Sequence, residues 1–171
     1  RGDGPQDFVE LVVEASAQLL ALSDLALERE AARGRVEQAL ADGSALETYA
    51  RWIRAQGGDP AEDALPSAPV LRAVDATEAA HVHGVGAVQV GLAALHLGAG
   101  RRAKEDAIDY AVGVVCRKKR GDSVAPGETL AEVHAPDEAT AERAAEEVRA
   151  AYVLGDSESP RQGVVLGVLT Q

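Results

Sequence analysis

The sequence predicts an α+β protein in which a segment of three helices precedes a β-rich domain. Apolar residues recur at helical spacing through roughly the first third of the chain. A stretch with three prolines follows, and short β-branched runs separated by turn residues occupy most of the remainder. Because strands and helices do not alternate regularly there, the pattern favours α+β over a parallel α/β fold.

The proline-containing stretch predicts the division into domains. Pro60, Pro66 and Pro69 stand in a segment without helical or strand periodicity, which is typical of a linker. We therefore predict a helical segment at 1–60, a linker at 61–68 and a C-terminal α+β domain at 69–171.

Three helices are predicted in the first segment. The first begins near Pro5, because proline suits a first helical turn. Its apolar residues share one face, which we expect to be buried: Phe8, Leu11, Val12, Ala15, Leu19 and Leu22. The second helix ends before Gly43, which suits a left-handed position. Ser44 and Glu47 have the spacing of a capping box that would open the third helix.

The second domain is predicted to contain six strands and two helices. The strands are expected at 70–76, 80–85, 111–116, 129–134, 152–154 and 163–169. One helix is expected at 87–97 and another from Asp137, its cap, to about residue 151. The inward positions of that last helix are Ala141, Ala144, Ala145 and Val148. Gly121 and Gly127 are expected to hold turn geometry.

Composition excludes several classes of protein and of site. A net charge of −11 argues against nucleic acid or an anionic membrane as a partner, since both bind clustered positive charge. The basic groups around Arg101–Lys104 and Arg117–Arg120 are interpreted as solvated turns with acidic neighbours. A single cysteine, Cys116, excludes an internal disulfide, and we expect it to be buried and inert. With no long apolar run, the sequence predicts a cytoplasmic protein.

Chemistry-bearing residues do not form a recognisable catalytic motif. The glycine pairs at 84 and 86 and at 98 and 100 lack both the dinucleotide-binding and the P-loop spacing. His81 and His83 would share one face of a strand, where they form either a structural pair or two ligands of a metal. Nothing in the sequence therefore predicts a complete active site.

A family resemblance rests on the segment from Leu97 to Ala135, LGAGRRAKEDAIDYAVGVVCRKKRGDSVAPGETLAEVHA. This segment resembles the carboxyl-terminal region of pyrimidine-nucleoside phosphorylases, including thymidine phosphorylase. The resemblance extends to GDGPQDFVEL at 2–11 and to AQGGD at 55–59. It implies a parent enzyme, expected to be a homodimer, that converts a pyrimidine nucleoside and phosphate to a free base and a pentose 1-phosphate without a required cofactor.

The same resemblance implies that the substrate-binding residues lie outside this sequence. In these phosphorylases the phosphate-binding and base-binding residues belong to the amino-terminal half. The helical segment at 1–60 would belong to the family's α/β domain, so we expect its apolar face to be left partly exposed in this chain or covered by a neighbouring copy. We therefore expect the sequence to be part of a longer chain and to be inactive by itself, and no catalytic or substrate-binding residue is predicted in it.

The resemblance also implies a site for a monovalent cation on the first helix. The main-chain carbonyls of Val12 and Ala15 and the carboxylate of Asp24 are the implied ligands. Val12 replaces a leucine, and Asp24 is shorter than the family's glutamate. The alternative role of Asp24 is a cap at the helix junction.

A non-catalytic module is the alternative function. The segment from Gly121 to Leu130 also resembles the turn and strand of biotinyl and lipoyl domains, which carry their cofactor on a lysine at a hairpin tip. No lysine follows Leu130, where Ala-Glu-Val-His-Ala-Pro stands. The resemblance thus implies a barrel-sandwich-like architecture, and an interaction or regulatory module is the function left to this alternative.

Overall fold

The computed structural model describes residues 4–61, 64–167 and 169. The chain forms two compact units: one comprises the residues up to Ala64 together with those from Gly163 onward, and the other runs from Leu65 to Gln162. Within the described residues, no helix is both long enough and apolar enough to cross a bilayer. Gly2 and Asp3, which belong to the expected start of the first helix, lie outside the described residues.

The first unit contains three helices, α1 (Gln6–Leu22), α2 (Arg29–Ala41) and α3 (Ser44–Ala55). Val13, Ala17, Ala32 and Val36 are its buried hydrophobic residues. Glu14 is also buried; it accepts a hydrogen bond from Gln18 at 3.0 Å and pairs with Arg29 and Arg33. These interactions lower the pKa of Glu14, and the hydrogen bond from Gln18 has the largest effect. Burial acts in the opposite direction and raises this pKa.

The apolar face of α1 is exposed within this chain, in agreement with the expectation that its partner surface lies elsewhere. Phe8, Leu11, Leu19 and Leu22 are 58%, 43%, 69% and 84% exposed, and the buried Val13 and Ala17 lie on the opposite side. Periodicity correctly places the large apolar residues on one stripe, but it does not say which stripe meets a neighbour. Both fully buried positions of α1 and α2, Ala17 and Ala32, are small, which favours close helix packing on that side.

The predicted capping box before α3 is wrong. Ser44 is the first helical residue, and the preceding Gly43 has a φ of +84°. The side chain of Asp42, two residues earlier, accepts the Ser44 N–H at 2.9 Å. Asp42 therefore accepts the Ser44 N–H that Glu47 was expected to bind, and the Glu47 N–H donates to the carbonyl of Gly43 at 3.1 Å instead of to the serine hydroxyl. The left-handed Gly43 is confirmed.

The second unit contains two open, antiparallel sheets of three strands each. Its strands are β1 (Val70–Asp75), β2 (Ala80–Val85), β3 (Gly113–Cys116), β4 (Ser123–Val124), β5 (Thr129–Ala135) and β6 (Tyr152–Gly155). The strand orders are β1-β5-β3 and β4-β2-β6. The predicted α+β class is confirmed, although the sheets of the described residues do not close into a barrel.

Helices α4 (Ala87–Ala94) and α5 (Glu138–Ala151) complete this unit. Asp137 caps α5 as predicted, since its carboxylate accepts the Thr140 N–H at 2.8 Å. All four residues expected to face inward on α5 are buried. They join Val74, Val82, Leu130 and Val133 in one hydrophobic core.

Two local expectations in this region differ from the structure. The helix predicted at 87–97 becomes a π-helical turn at Leu95–Ala99, where Gly98 has a φ of +107°. The strand predicted at 163–169 is wrong for residues 163–167 and 169, which form no strand. Alternating apolar residues do not form a strand unless another strand is placed to pair with them.

Candidate functional site

The residues predicted to bind a cation lie at two places in the helical unit. Val12 is half-buried and Ala15 is exposed, both within α1, and Asp24 is exposed in the turn after that helix. A carbonyl inside a helix already accepts one hydrogen bond from the residue four positions ahead, which leaves one lone pair on each carbonyl oxygen. These oxygens and the carboxylate suit a hard cation chemically. The site stays a prediction.

The histidines are distributed over separate environments. His81 and His83 lie on β2, and His83 Nε2 is 2.8 Å from the carbonyl oxygen of Ser157. His96 Nδ1 lies 2.9 Å from a carboxylate oxygen of Glu147. The described residues contain no group of three or more His, Cys, Asp or Glu side chains placed to hold a metal. The structure therefore gives His81 and His83 no third ligand of those types among these residues.

The segment from Leu97 to Ala135 is held together by turns. Gly121 and Gly127 have φ values of +91° and +79°, which confirms the predicted turn geometry. The Glu128 carboxylate accepts the Ala125 N–H at 2.9 Å and pairs with Lys118. The pKa of Glu128 is lowered most by the hydrogen bond from Lys118 and next by the hydrogen bond from the Ala125 N–H. This carboxylate therefore stabilises the turn in its charged form.

The basic group at Arg117–Arg120 is paired with acidic residues, in agreement with its interpretation as a turn with acidic neighbours. Arg117 binds Glu132 at 2.6 Å, and Lys118 binds Glu128. Arg161 reaches the same region, where it binds Asp122 at 2.7 Å. The Arg117–Arg120 group thus contributes to local structure.

Tyr152, the first residue of β6, connects that strand to β5 and to the turn region at Lys118. Its hydroxyl donates to the carbonyl of Leu130 at 2.8 Å and approaches that of Lys118 at 3.1 Å. Burial raises the pKa of Tyr152, and the nearby Cys116 thiol adds to this effect. Cys116 itself is half-buried, so the expectation of a buried thiol is wrong.

A cavity of about 260 Å³ lies between the π-helical turn, the loop that follows it and α5. It is lined by His96, Arg102, Thr140, Arg143, Ala144 and Glu147. The sequence analysis missed it. Three of its residues, Thr140, Arg143 and Glu147, stand at helical spacing on one face of α5, and that periodicity could have indicated a shared polar surface.

The helical unit exposes two apolar surfaces. One is the α1 stripe of Phe8, Leu11, Leu19 and Leu22. The other lies on α3, which has no buried residue and exposes Leu46, Tyr49 and Trp52 at 45%, 48% and 58%. Contiguous exposed apolar patches of this kind mark interaction surfaces in soluble proteins.

Comparison with known proteins gives concordant matches. Residues 81–155 match the family model described as "Pyrimidine nucleoside phosphorylase C-terminal domain". The pyrimidine-nucleoside phosphorylase of Geobacillus stearothermophilus is 42% identical over 138 residues, which cover 78% of this chain and 32% of that protein. The enzyme of the same name from Bacillus subtilis is 40% identical over 139 residues, 79% of this chain and 32% of that protein. The chain thus spans about a third of the length of the curated relatives it matches.

Proposed function

We propose that this chain, whose residues 81–155 match the family model of the pyrimidine nucleoside phosphorylase C-terminal domain, belongs to that family and works as the carboxyl-terminal part of such an enzyme. Identity of about 40% over nearly four fifths of the chain carries the proposal. The comparisons do not favour the alternative of a lipoyl-like or biotinyl-like module. Similarity to those domains is restricted to the turn and strand around Gly121 and Leu130.

The proposed reaction is phosphorolysis of a pyrimidine nucleoside, with thymidine among the substrates. A phosphate oxygen forms a bond to the anomeric carbon as the bond from that carbon to the base nitrogen breaks. The electron pair leaves with the pyrimidine, which takes up a proton, and the products are the free base and a pentose 1-phosphate. Catalysis of this kind depends on orienting the phosphate and stabilising the departing base.

We propose that the groups that perform this chemistry belong to the other two thirds of such an enzyme. The described residues support this assignment, because their histidines are dispersed and one of their basic groups is engaged in ion pairs. The role of this chain is then to complete the fold around the cleft.

The exposed α1 stripe supports that role. Leu19 and Leu22 are 69% and 84% exposed, although burying one leucine side chain is worth about 1.5–3 kcal/mol. We propose that the remaining part of the enzyme covers this stripe. A monovalent cation bound by the carbonyls of Val12 and Ala15 and by Asp24 would lie on the same helix.

Two further properties belong to this proposal. We place the enzyme in the cytoplasm, because a lone, half-buried cysteine suits a reducing compartment. We also propose that the whole enzyme is a homodimer. Its sedimentation as a dimer would support this assembly, and a monomer at all concentrations would contradict it.

A chimaera tests the proposed function. The segment of the Bacillus subtilis enzyme that this chain matches is replaced with the matching part of this chain, and release of thymine from thymidine and phosphate is followed by absorbance. We expect phosphorolysis by the chimaera and none by the 171-residue chain alone. A folded but inactive chimaera, or turnover by the isolated chain at about 1 s⁻¹ or faster, would contradict the proposal.

A further inference from the structure

The cavity beside α5 has features of a binding site that the phosphorolysis reaction does not require. We propose that it binds a small phosphate-bearing anion, either inorganic phosphate or a small phosphate ester. The proposal is independent of the proposed function, because every group that it uses lies in the second unit of this chain.

Two guanidinium groups supply the positive charge. Arg102 and Arg143 line the cavity. Neither makes an ion pair within 4 Å among the described residues, and Arg143 Nη2 donates a long hydrogen bond of 3.5 Å to the Thr140 hydroxyl. Arg72, Arg117 and Arg161 each bind a carboxylate, whereas these two guanidinium groups keep donors that an added anion could use. Arginine is well suited to phosphate, because its planar fork can donate two parallel hydrogen bonds.

The backbone around Arg102 is fixed before any ligand binds. The Asp106 carboxylate accepts the N–H groups of Arg102 and Ala103, each at 2.9 Å. These two bonds lower the pKa of Asp106, so the turn is held by a charged carboxylate. At the other end of the loop, the Asp109 N–H donates to the carbonyl of Gly98 at 3.0 Å. The base of the Arg102 side chain therefore has a defined position.

His96 and Glu147 determine which further groups the ligand can meet. A carboxylate only accepts hydrogen bonds, so we assign the hydrogen to His96 Nδ1, 2.9 Å from Glu147. The Nδ1–H thus engages Glu147, the one acidic side chain of the cavity lining, and His96 Nε2 is left for other partners. The Thr140 hydroxyl adds a group that can both donate and accept.

The volume of the cavity limits the size of the ligand. About 260 Å³ falls just below the range of roughly 300–1,000 Å³ that accommodates drug-sized ligands. The cavity lining contains no Phe, Tyr or Trp ring against which a base could stack. The combination of two arginines, one hydroxyl and a small volume fits a phosphate group better than a nucleoside.

Titration of the 171-residue chain tests the proposal. Inorganic phosphate and ribose 5-phosphate are added separately at low ionic strength, and backbone amide and His96 side-chain signals are followed by NMR. We expect saturable shifts at Arg102, Thr140 and His96, and sodium chloride of equal ionic strength should not reproduce them. Saturation by either compound supports the site, and the compound with the lower dissociation constant identifies its ligand. No saturable shift with either compound would overturn the proposal.

Matched variants separate a specific site from diffuse charge attraction. R102Q and R143Q should each raise the dissociation constant roughly tenfold or more, since each removes charge-assisted hydrogen bonds. R149Q is the control, because this substitution removes the same charge from Arg149, which is exposed on the opposite side of α5. R143K should also bind more weakly, since lysine keeps the charge without the fork. Equal weakening by R149Q and R143Q would overturn the proposal.

Discussion

The turn at Gly121 gives the most sharply defined prediction of stability. Gly121 has a φ of +91°, and its N–H donates to the carbonyl of Val82 at 2.9 Å, so that it connects the turn to β2. A Cβ added here would lie 2.5 Å from Cγ, 2.9 Å from the backbone nitrogen and 3.0 Å from Cα of Arg161. Substitution with alanine therefore combines backbone strain with a steric clash that a side-chain rotation cannot relieve.

The magnitude follows from two contributions. A non-glycine residue in the left-handed region costs about 1–2 kcal/mol. Forcing an extra carbon against packed backbone costs about 1–3 kcal/mol more. Gly121→Ala should thus lower the free energy of unfolding of the second unit by about 2–5 kcal/mol.

Two other glycines provide controls for this measurement. Gly127 has a φ of +79° with no atom within 4 Å of an added Cβ, so Gly127→Ala should cost only the strain of about 1–2 kcal/mol. Gly113 has neither a positive φ nor a close neighbour, and Gly113→Ala should be close to neutral. Urea unfolding followed through NMR amide signals of α5 reads the second unit alone. Equal destabilisation by the substitutions at 121 and 127 would refute the role of Arg161.

Three more predictions follow from the packing, the charges and the exposed helices. Val148→Ala should destabilise the second unit by about 1–3 kcal/mol in the same unfolding assay, because this fully buried side chain leaves a cavity, and an exposed neighbour such as Glu146→Ala should not. The pKa of Glu128 and that of Asp137 are lowered in the folded chain, so their stabilisation is complete above the ordinary values of 4.5 and 3.8 and is lost as pH falls through the lower folded values. Glu128→Gln should therefore flatten the acid side of the thermal stability profile, and an unchanged profile would contradict the assignment. Hydrogen exchange should be faster in α1 than in α5, because the apolar stripe of α1 is exposed; equal protection of both helices would argue against this difference.

Local rules were sufficient for the elements whose signals lie within a few residues. Asp137 is three residues before its donor Thr140, and the inward positions of α5 follow from helical spacing alone. Gly121 and Gly127 are constrained by their immediate turns. Such features could be predicted because the chain neighbours that determine them are visible in the sequence.

The remaining features depend on partners that local patterns do not reveal. The α1 stripe was correctly placed on one face, but whether it is covered depends on surfaces beyond the helix. The His96–Glu147 contact joins residues 51 positions apart, so no local spacing predicts the cavity. The capping box was mispredicted because Asp42 accepts the Ser44 N–H that Glu47 was expected to bind, and two carboxylates within reach of one amide cannot be ranked by spacing alone.

Complementation in trans tests most directly the proposal that the α1 stripe meets the rest of a phosphorolytic enzyme. The 171-residue chain is mixed with the amino-terminal two thirds of the Bacillus subtilis relative, expressed separately, and thymine release from thymidine and phosphate is measured. We expect activity with the natural chain, a loss of about tenfold or more with Leu19→Glu, and no loss with Glu10→Ala, which lies off the stripe. Activity that is equally high with Leu19→Glu, or absent from a mixture whose two parts demonstrably associate, would contradict the account.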